Sequence, residues 1–572
     1  MKRFILAVCC ILILAAPSLP QAQPGKLAGL IQAGNRKAAL DLIRAGADVN
    51  EAQPDGTRPI HWAVYRADYE LLEALIAKNA KADVRNELGS TPLAEAVKLG
   101  DSRLVKMLLD AGSGPEGANE DGQTALMLAI KNGDLPIVQM LVNAGANVNV
   151  VEKVQNQTPL MWAAAANRNA AEMVKILLSK GADVKARAKF TDWPSQITSE
   201  PRAQYHAYGG LTALLYAARN GCYACVEALV AAGADVNLPT PEGVTPLMIA
   251  LDNGHNDVAK FLLDHGANPH LWDVYGRTAL YIAVDKRTPG AAPAGRGAVP
   301  AAGGRGAGGR GAGLQAGPGA RGGAAVAGLR GGGPAVSGME IINALLAAGV
   351  DPNIQLNMRR PSNQGGRFSD PLLSTGTTPL LRAVINNDME VIRALLEKGA
   401  NPNIIGMGTT PFLLAAGANP YGGRGGGGSV GVNTALLDLM IEHGADVNSQ
   451  VTGVATYSMR ISRQPSDSEG ISALHAAVQS GRADIVRYLL DHGARPDLVD
   501  ASGRTPLDVL NGAPARRAAT GADADGLAPA ANPNPAATAG ARGGPPGSRG
   551  ANAASAQEIR TLLQNALQNR HQ

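Results

Sequence analysis

The stretch PEGVTPLMIALDNGHNDVAKFLLDHGANPH, residues 241–270, contains one complete copy of the unit that decides the fold. Gly243 permits the positive φ of a tight turn, Thr245 is placed to cap a helix, and Pro246 occupies its first turn, where a missing N–H costs nothing. Residues 247–251 are mostly apolar, and an Asn-Gly pair then interrupts the helix. A second helix carries apolar residues at helical spacing until Gly266 ends it. The stretch predicts turn, helix, break, helix and turn.

The same unit returns about every 33 residues along the chain. A unit this short cannot bury its apolar face alone, so the period predicts an all-α repeat solenoid of stacked helix–turn–helix units with protruding hairpin turns. Each copy closes on Gly-Ala-Asp-Val-Asn or a close variant, which recurs at 46–50, 145–149, 233–237, 399–403 and 444–448. The openings are GTRPIHWA (56–63), GSTPLAEA (89–96), GQTALMLA (122–129), NQTPLMWA (156–163), GLTALLYA (210–217), GVTPLMIA (243–250), GRTALYIA (276–283), GTTPLLRA (376–383), GTTPFLLA (408–415), GISALHAA (470–477) and GRTPLDVL (503–510).

The unit closely resembles the ankyrin repeat, whose signature Thr-Pro-Leu-His-x-Ala is nearly complete at Ile471–Ala477. The resemblance extends from about Lys26 to Leu510, apart from insertions. The family's His is retained at His61 and His475 and is replaced in the other copies. The resemblance implies a scaffold that binds a protein partner through its concave face and hairpin tips.

Length, composition and motifs favour a binding protein over an enzyme. A solenoid of 572 residues is acceptable because each unit touches only its neighbours. Aromatic residues make up 3% of the chain, which suits layers closed by Ala and Leu. The net charge of +4 favours neither nucleic-acid nor membrane binding. The chain has no phosphate loop ending in Gly-Lys-Ser/Thr and no His-Glu-x-x-His. We expect no catalytic residue, no metal site and no cofactor.

The first residues are typical of an export signal. Lys2 and Arg3 form a positive region, residues 4–16 are apolar, and Pro20-Gln21-Ala22 offers a cleavage site. The apolar stretch is shorter than the roughly 20 residues that a transmembrane helix needs. We expect a protein exported to the bacterial periplasm or the extracellular space, with no membrane insertion after cleavage.

Departures from the repeat register divide the chain. We expect the Gly/Ala/Arg-rich tract to be a solvated spacer, with weak binding of anionic polymers as the alternative. The predicted layout is a signal peptide at 1–22, an N-terminal ankyrin array at 23–285 with a loop insertion at 187–209, a Gly/Ala/Arg-rich disordered insertion at 286–338, a C-terminal array at 339–512 with insertions at 355–374, 417–432 and 450–468, an Ala/Pro/Gly-rich disordered segment at 513–554, and a C-terminal capping helix at 555–572.

Two cysteines remain after signal cleavage, Cys222 and Cys225, at the predicted start of a second helix. An oxidising compartment favours a local disulfide between them. The alternative is a redox-active pair, because a helix N-terminus stabilises thiolates. That alternative would make the chain a thiol-redox or enzyme-associated periplasmic factor. The strand pattern of a thioredoxin fold is absent around the pair.

The repeat register also indicates where a partner would bind. The exposed ends of the first helices and the hairpin tips line up along the stack, and the tips lean acidic, which favours a partner of basic character. The aromatics of 187–209 favour a contact anchor, or else they cover a widened junction between repeats. Trp62 and Trp162 share a position that indicates packing along the first helices. We expect a monomer, whose candidate partner-binding residues are Tyr65, Lys131, Asn132, Trp193, Tyr205, Tyr208, Arg219, Asn220, Asp252, Asn253, Tyr275 and Gln479.

Overall fold

The computed structural model describes residues 26–191, 208–287, 333–356, 376–406, 408–418, 432–452, 469–512 and 553–570. The predicted signal peptide and the central parts of the predicted insertions lie outside these residues. The chain divides into two compact units, Met1–Lys189 and Phe190–Gln572, named unit 1 and unit 2 below. Both consist of short paired helices, which confirms the predicted all-α repeat solenoid.

In unit 1 the described helices form five successive pairs. The first helices pack against one another in series, and each also packs against the second helix of its own pair. The helices are α1 (Lys26–Gln32), α2 (Arg36–Arg44), α3 (Pro59–Tyr65), α4 (Tyr69–Ala77), α5 (Pro92–Leu99), α6 (Ser102–Asp110), α7 (Ala125–Asn132), α8 (Leu135–Asn143), α9 (Pro159–Ala165) and α10 (Ala170–Ser179).

Unit 2 opens with a two-residue antiparallel pair at the base of the 187–209 insertion, β1 (Phe190–Thr191) and β2 (Tyr208–Gly209). The paired-helix pattern then continues. The helices are α11 (Ala213–Asn220), α12 (Tyr223–Ala231), α13 (Pro246–Asp252), α14 (Asn256–Asp264), α15 (Ala279–Lys286), α16 (Gly338–Ala347), α17 (Pro379–Ile385), α18 (Met389–Glu397), α19 (Pro411–Ala415), α20 (Thr434–Glu442), α21 (Ala473–Gln479), α22 (Ala483–Asp491), α23 (Pro506–Leu510) and α24 (Ala553–Arg570).

The helix ends follow the sequence signals. Thr245 is the N-cap of α13, and its hydroxyl accepts a hydrogen bond from the backbone N–H of Met248 at 3.2 Å. Pro246 occupies the first helical position. Gly266 follows α14 with φ +88°, a value that a residue with a Cβ rarely adopts. The repeated Thr and Pro therefore mark where the first helix of a repeat begins, and the Gly marks where the second helix ends.

In six repeats of the described chain, a closing Asn links the repeat to the next one. The Asn403 side-chain amide donates to the carbonyl of Gly444 at 2.8 Å, and its Oδ1 accepts the backbone N–H of Asp446 at 2.8 Å. These two bonds join adjacent repeats through groups that a turn would otherwise leave unpaired. The same pair of hydrogen bonds is made by Asn50, Asn149, Asn237, Asn353 and Asn448.

The C-terminal helix α24 covers the last pair of helices. Its Ile559 and Leu563 side chains are fully buried, and the helix packs against α22 and α23. Glu558 also pairs with Arg487 at 2.6 Å. The helix begins at Ala553, two residues before the predicted segment, and ends at Arg570. The Gly/Ala/Arg-rich insertion, predicted from residue 286, begins one residue later, because Lys286 is the last residue of α15.

Candidate protein-binding face

The first helices of unit 1 bring eight side chains to one surface. On α3, α5, α7 and α9 the fourth and seventh helical positions lie on one side of the helix, because they are three residues apart. We call this surface the first-helix face of unit 1 and define it by Trp62, Tyr65, Glu95, Lys98, Leu128, Lys131, Trp162 and Ala165.

An exposed aromatic pair lies at one end of this face. Tyr65 is 61% exposed, and its ring meets the ring of Trp62 edge-on with centroids 5.8 Å apart. Trp62 is half-buried and donates its indole N–H to Gln53 Oε1 at 2.8 Å. The hydrogen bond holds the indole in place, so the pair presents a fixed apolar surface to solvent.

The middle of the face is positively charged. Lys98 Nζ lies 2.9 Å from Glu95 Oε1, and the same carboxylate accepts the Ser90 hydroxyl. Lys131, one repeat further on, is exposed and makes no ion pair with any residue that the structure describes. Arg66, at the end of α3, donates to the backbone carbonyl of Gln32 and makes no ion pair with a described carboxylate.

In unit 2 the charges near the same register are paired with one another. Asp252 lies 3.0 Å from Lys286 Nζ and 3.4 Å from Arg277 Nη1. Asp285 lies 2.6 Å from Arg382 Nε, and both side chains are largely buried. These carboxylates therefore serve the stack itself, whereas Lys131 in unit 1 makes no such pair among the described residues.

The remaining candidates differ in what they offer to a partner. Arg219 is exposed, with its guanidinium 4.9 Å from the centre of the Tyr216 ring, and Gln479 is exposed at the end of α21. Asn132 is exposed but donates to the carbonyl of Val97 at 3.1 Å. Asn253 donates to the carbonyl of Ile249 at 2.7 Å. Asn220 and Asp252 are half-buried.

Tyr275 does not fit its predicted role as an exposed tip residue. Its side chain is only 9% exposed. Asp273 accepts the backbone N–H groups of both Tyr275 and Arg277, and the Arg277 guanidinium lies 5.8 Å from the Tyr275 ring. This tightly bonded turn draws the ring inward instead of exposing it.

The aromatic insertion is only partly described. Trp193 and Tyr205 lie outside the described residues, and of Tyr208 the structure gives the backbone, in β2. Phe190, the β1 residue paired with Gly209, is 52% exposed.

The hairpin tips of unit 1 carry exposed acids, but the turn itself engages one of them. Asp55 accepts the backbone N–H and the hydroxyl of Thr57, and these bonds lower the pKa of the Asp55 carboxyl. In unit 2, burial and then the neighbouring Asp273 carboxylate raise the pKa of Glu242. The bonds to Thr57 therefore favour the ionised form of Asp55, whereas the surroundings of Glu242 favour its protonated form.

The two retained family histidines are structural. His475 is fully buried; its Nδ1 accepts the Ser472 backbone N–H at 3.3 Å, and its Nε2 lies 3.0 Å from the carbonyl of Arg504. His61 bonds in the same way to Arg58 and Ser90. Burial is the main cause that lowers the pKa of both rings, so both stay neutral at neutral pH.

Cys222 and Cys225 are joined by a disulfide, with their Cα atoms 5.2 Å apart. Cys222 is the N-cap residue of α12, where other repeats place an Asp that caps with its carboxylate, as Asp68 does for α4. Cys225 is fully buried. Thiol exchange requires access to a sulfur atom, and within this pair Cys222, which is half-buried, is the more accessible residue.

Within the described ranges, no three or more His, Cys, Asp or Glu side chains are grouped to hold a metal ion. In that same part of the chain, no helix combines the length and apolar character that crossing a membrane demands.

The predicted contact residues do not include four members of the first-helix face of unit 1, Glu95, Lys98, Leu128 and Ala165. The repeat register contains the signal for them, because they occupy the same helical positions as Lys131 and Trp162 in neighbouring copies.

The chain belongs to the ankyrin-repeat family. The family profile described as "Ankyrin repeats (3 copies)" matches residues 27–116, 96–188, 214–292 and 429–510, which together make up more than half of the chain. A second profile, "Ankyrin repeat", matches residues 375–406.

Several curated proteins are similar to part of this chain. The E3 ubiquitin-protein ligase KEG of Arabidopsis thaliana is 29% identical over 31% of this chain and 9% of its own length. The putative E3 ubiquitin-protein ligase XBAT34 of the same plant is 41% identical over 23% of this chain and 28% of its own length. The human mitochondrial disaggregase is 27% identical over 30% and 23% respectively. The chain thus spans less than a third of each of these relatives.

Among solved structures, the ankyrin repeat domain of Bcl-3 is 26% identical, with a TM-score of 0.33, over 40% of this chain and 94% of that one.

Proposed function

We propose that this chain is an exported ankyrin-repeat scaffold that holds a protein partner on the first-helix face of unit 1 and the adjoining hairpin tips. The observation that carries the proposal is the 61% exposed Tyr65, which shares its helical register with Lys131, a lysine that makes no ion pair with a described residue. Tyrosine and tryptophan are among the residue types that dominate binding energy at protein interfaces. The proposal assigns binding and no catalysis, and it adopts none of the activities in the relatives' names.

Export is the second part of the proposal. It rests on the charged, apolar and cleavage-site regions of residues 1–22. The expected result is a mature N-terminus just after Ala22, found by mass spectrometry of the periplasmic or secreted fraction. An uncleaved chain confined to the cytoplasm would contradict it.

A comparative capture experiment tests the binding part. The full chain, the double variant Tyr65→Ala/Lys131→Ala and the control Lys175→Ala are immobilised and exposed to the exported protein fraction of the source. Lys175 is an exposed lysine on α10, away from the first helices. We expect one or more proteins to be retained by the full chain and the control and lost by the double variant. Equal retention by all three, or recovery of glycans and small molecules alone, would refute the proposed face.

A further inference from the structure

We propose that the segment held by the first-helix face of unit 1 is an extended acidic peptide with apolar side chains at both ends. This inference rests on the proposed function and adds the chemistry of the partner. It reverses the preference for a basic partner that the acidic tips suggest.

The face has apolar ends and a cationic middle. Trp62 and Tyr65 lie on α3, and Trp162 lies on α9. Lys98 and Lys131 lie on the two helices between them, α5 and α7. A ligand that crosses all four helices therefore meets aromatic surface, then positive charge, then aromatic surface.

The charge balance of the face is positive. Among the described residues its one carboxylate on a first helix is Glu95, which is already bonded to Lys98 and Ser90. The acids at the neighbouring helix starts cap those helices: Asp101 accepts the N–H of Leu104 at 3.1 Å and the Tyr69 hydroxyl at 2.7 Å, and Asp134 accepts the N–H of Ile137 at 3.2 Å. Lys131 has no such partner within the described chain, so a carboxylate of the ligand would form an ion pair with its ammonium group.

The size of the face sets the length of the ligand. Adjacent helices pack about 8–10 Å apart, so the three intervals from α3 to α9 span about 24–30 Å. An extended chain advances about 3.3 Å per residue, so about eight or nine residues cross the face. A helix of the same residues would cover less than half of that distance.

Single-stranded nucleic acid also combines negative charge with stacking bases. The face suits it poorly, because an oligonucleotide of this span presents a phosphate at each nucleotide to only two lysines. The exposed acids Asp55, Glu87 and Glu120 at the adjoining tips would repel its phosphates. A peptide that concentrates its carboxylates at the centre avoids this repulsion.

The test is fluorescence anisotropy on the full chain with a labelled peptide of about nine residues that has Phe-Leu at each end and Asp or Glu between. The matched probes are the same peptide with Lys in place of the acids, and a single-stranded oligonucleotide of similar length. The variants are Lys131→Glu and, as control, Lys175→Glu, which changes an exposed lysine on α10.

We expect the acidic peptide to bind and the other two probes to bind at least tenfold more weakly. Lys131→Glu should weaken the acidic peptide about fivefold to tenfold and improve binding of the Lys peptide, because it reverses one exposed charge contact. Lys175→Glu should change the affinity for neither peptide. Preference for the Lys peptide or the oligonucleotide, no binding of any probe, or equal effects of the two variants would overturn the inference.

The capture experiment separates the two levels of the argument. If a protein is captured through Tyr65 and Lys131 but the acidic peptide does not bind, the partner chemistry is wrong and the proposed function stands. If capture is insensitive to the double variant, the proposed face itself is wrong.

Discussion

The substitution Asn403→Ala tests how adjacent repeats are held together. Asn403 makes two bonds of 2.8 Å to the next repeat, one as donor to Gly444 and one as acceptor from Asp446. The side chain lies at the surface, so its removal leaves no cavity. Any loss of stability therefore reports on the two hydrogen bonds.

The expected magnitude follows from those bonds. A neutral hydrogen bond contributes a net of about 0.5–1.5 kcal/mol, and water partly replaces an exposed one, so the pair should contribute about 1–2 kcal/mol. Asn403→Asp should lower the stability of this junction by at least as much. It keeps the acceptor, but it turns a carboxylate oxygen toward the Gly444 carbonyl, at the negative end of α20.

Native-state amide hydrogen exchange is the suitable assay, because a repeat stack opens locally and need not unfold in one step. Exchange over residues 440–446 should accelerate about fivefold to thirtyfold in Asn403→Ala. The control Asn143→Ala removes one exposed bond from Gln139 within α8 and should leave exchange nearly unchanged. Unchanged exchange in Asn403→Ala, or an Asp variant as protected as the parent, would refute the reasoning.

Two further predictions concern buried groups. Replacing Cys222 and Cys225 together by Ser should lower the free energy of unfolding by about 2 kcal/mol, and reduction of the unmodified protein should have the same effect. The disulfide should have a reduction potential below about −300 mV. A potential near −200 mV with a reactive Cys222 would favour the redox alternative. Burial lowers the pKa of His475, so the unfolded chain takes up a proton near pH 6.5 before the folded chain does. The contribution of His475 to the free energy of unfolding should therefore be fully present above that pH and be lost below it. In urea titrations at pH 7 and pH 5, His475→Gln should reduce this decline. The control His443→Gln, which changes an exposed residue, should retain it.

The helical framework could be predicted from the sequence because its determinants are local. Thr245, Pro246 and Gly266 act within a few residues of their own positions, and each copy repeats them. The Cys222–Cys225 pairing is local for the same reason, since three positions separate the two residues. A period of this kind reveals which side chains share a surface without any knowledge of tertiary contacts.

The state of each exposed charge could not be predicted, because it depends on residues that are distant in sequence. The repeat register predicts Asp252 as a contact residue, yet Lys286 and Arg277 of the next repeat pair with it. The register also predicts an exposed Tyr275 at a tip, yet the hydrogen bonds of Asp273 fold that tip inward. The register gives the position of a side chain but not its partners.

The charge pairs around α15 lie next to an interruption of the repeat register. Residues 288–332, outside the described part of the chain, separate Arg287 from the segment that leads to α16, so α15 and α16 lack the short connection found in other repeats. Lys286 pairs with Asp252 in the preceding repeat, and Arg287 pairs with Asp388 at 2.6 Å in the following one. Removing one partner of a buried pair such as Asp285–Arg382 costs about 3–5 kcal/mol. A ligand that recruited these charges would have to offset that cost, whereas Lys131 can meet a carboxylate without breaking any described ion pair.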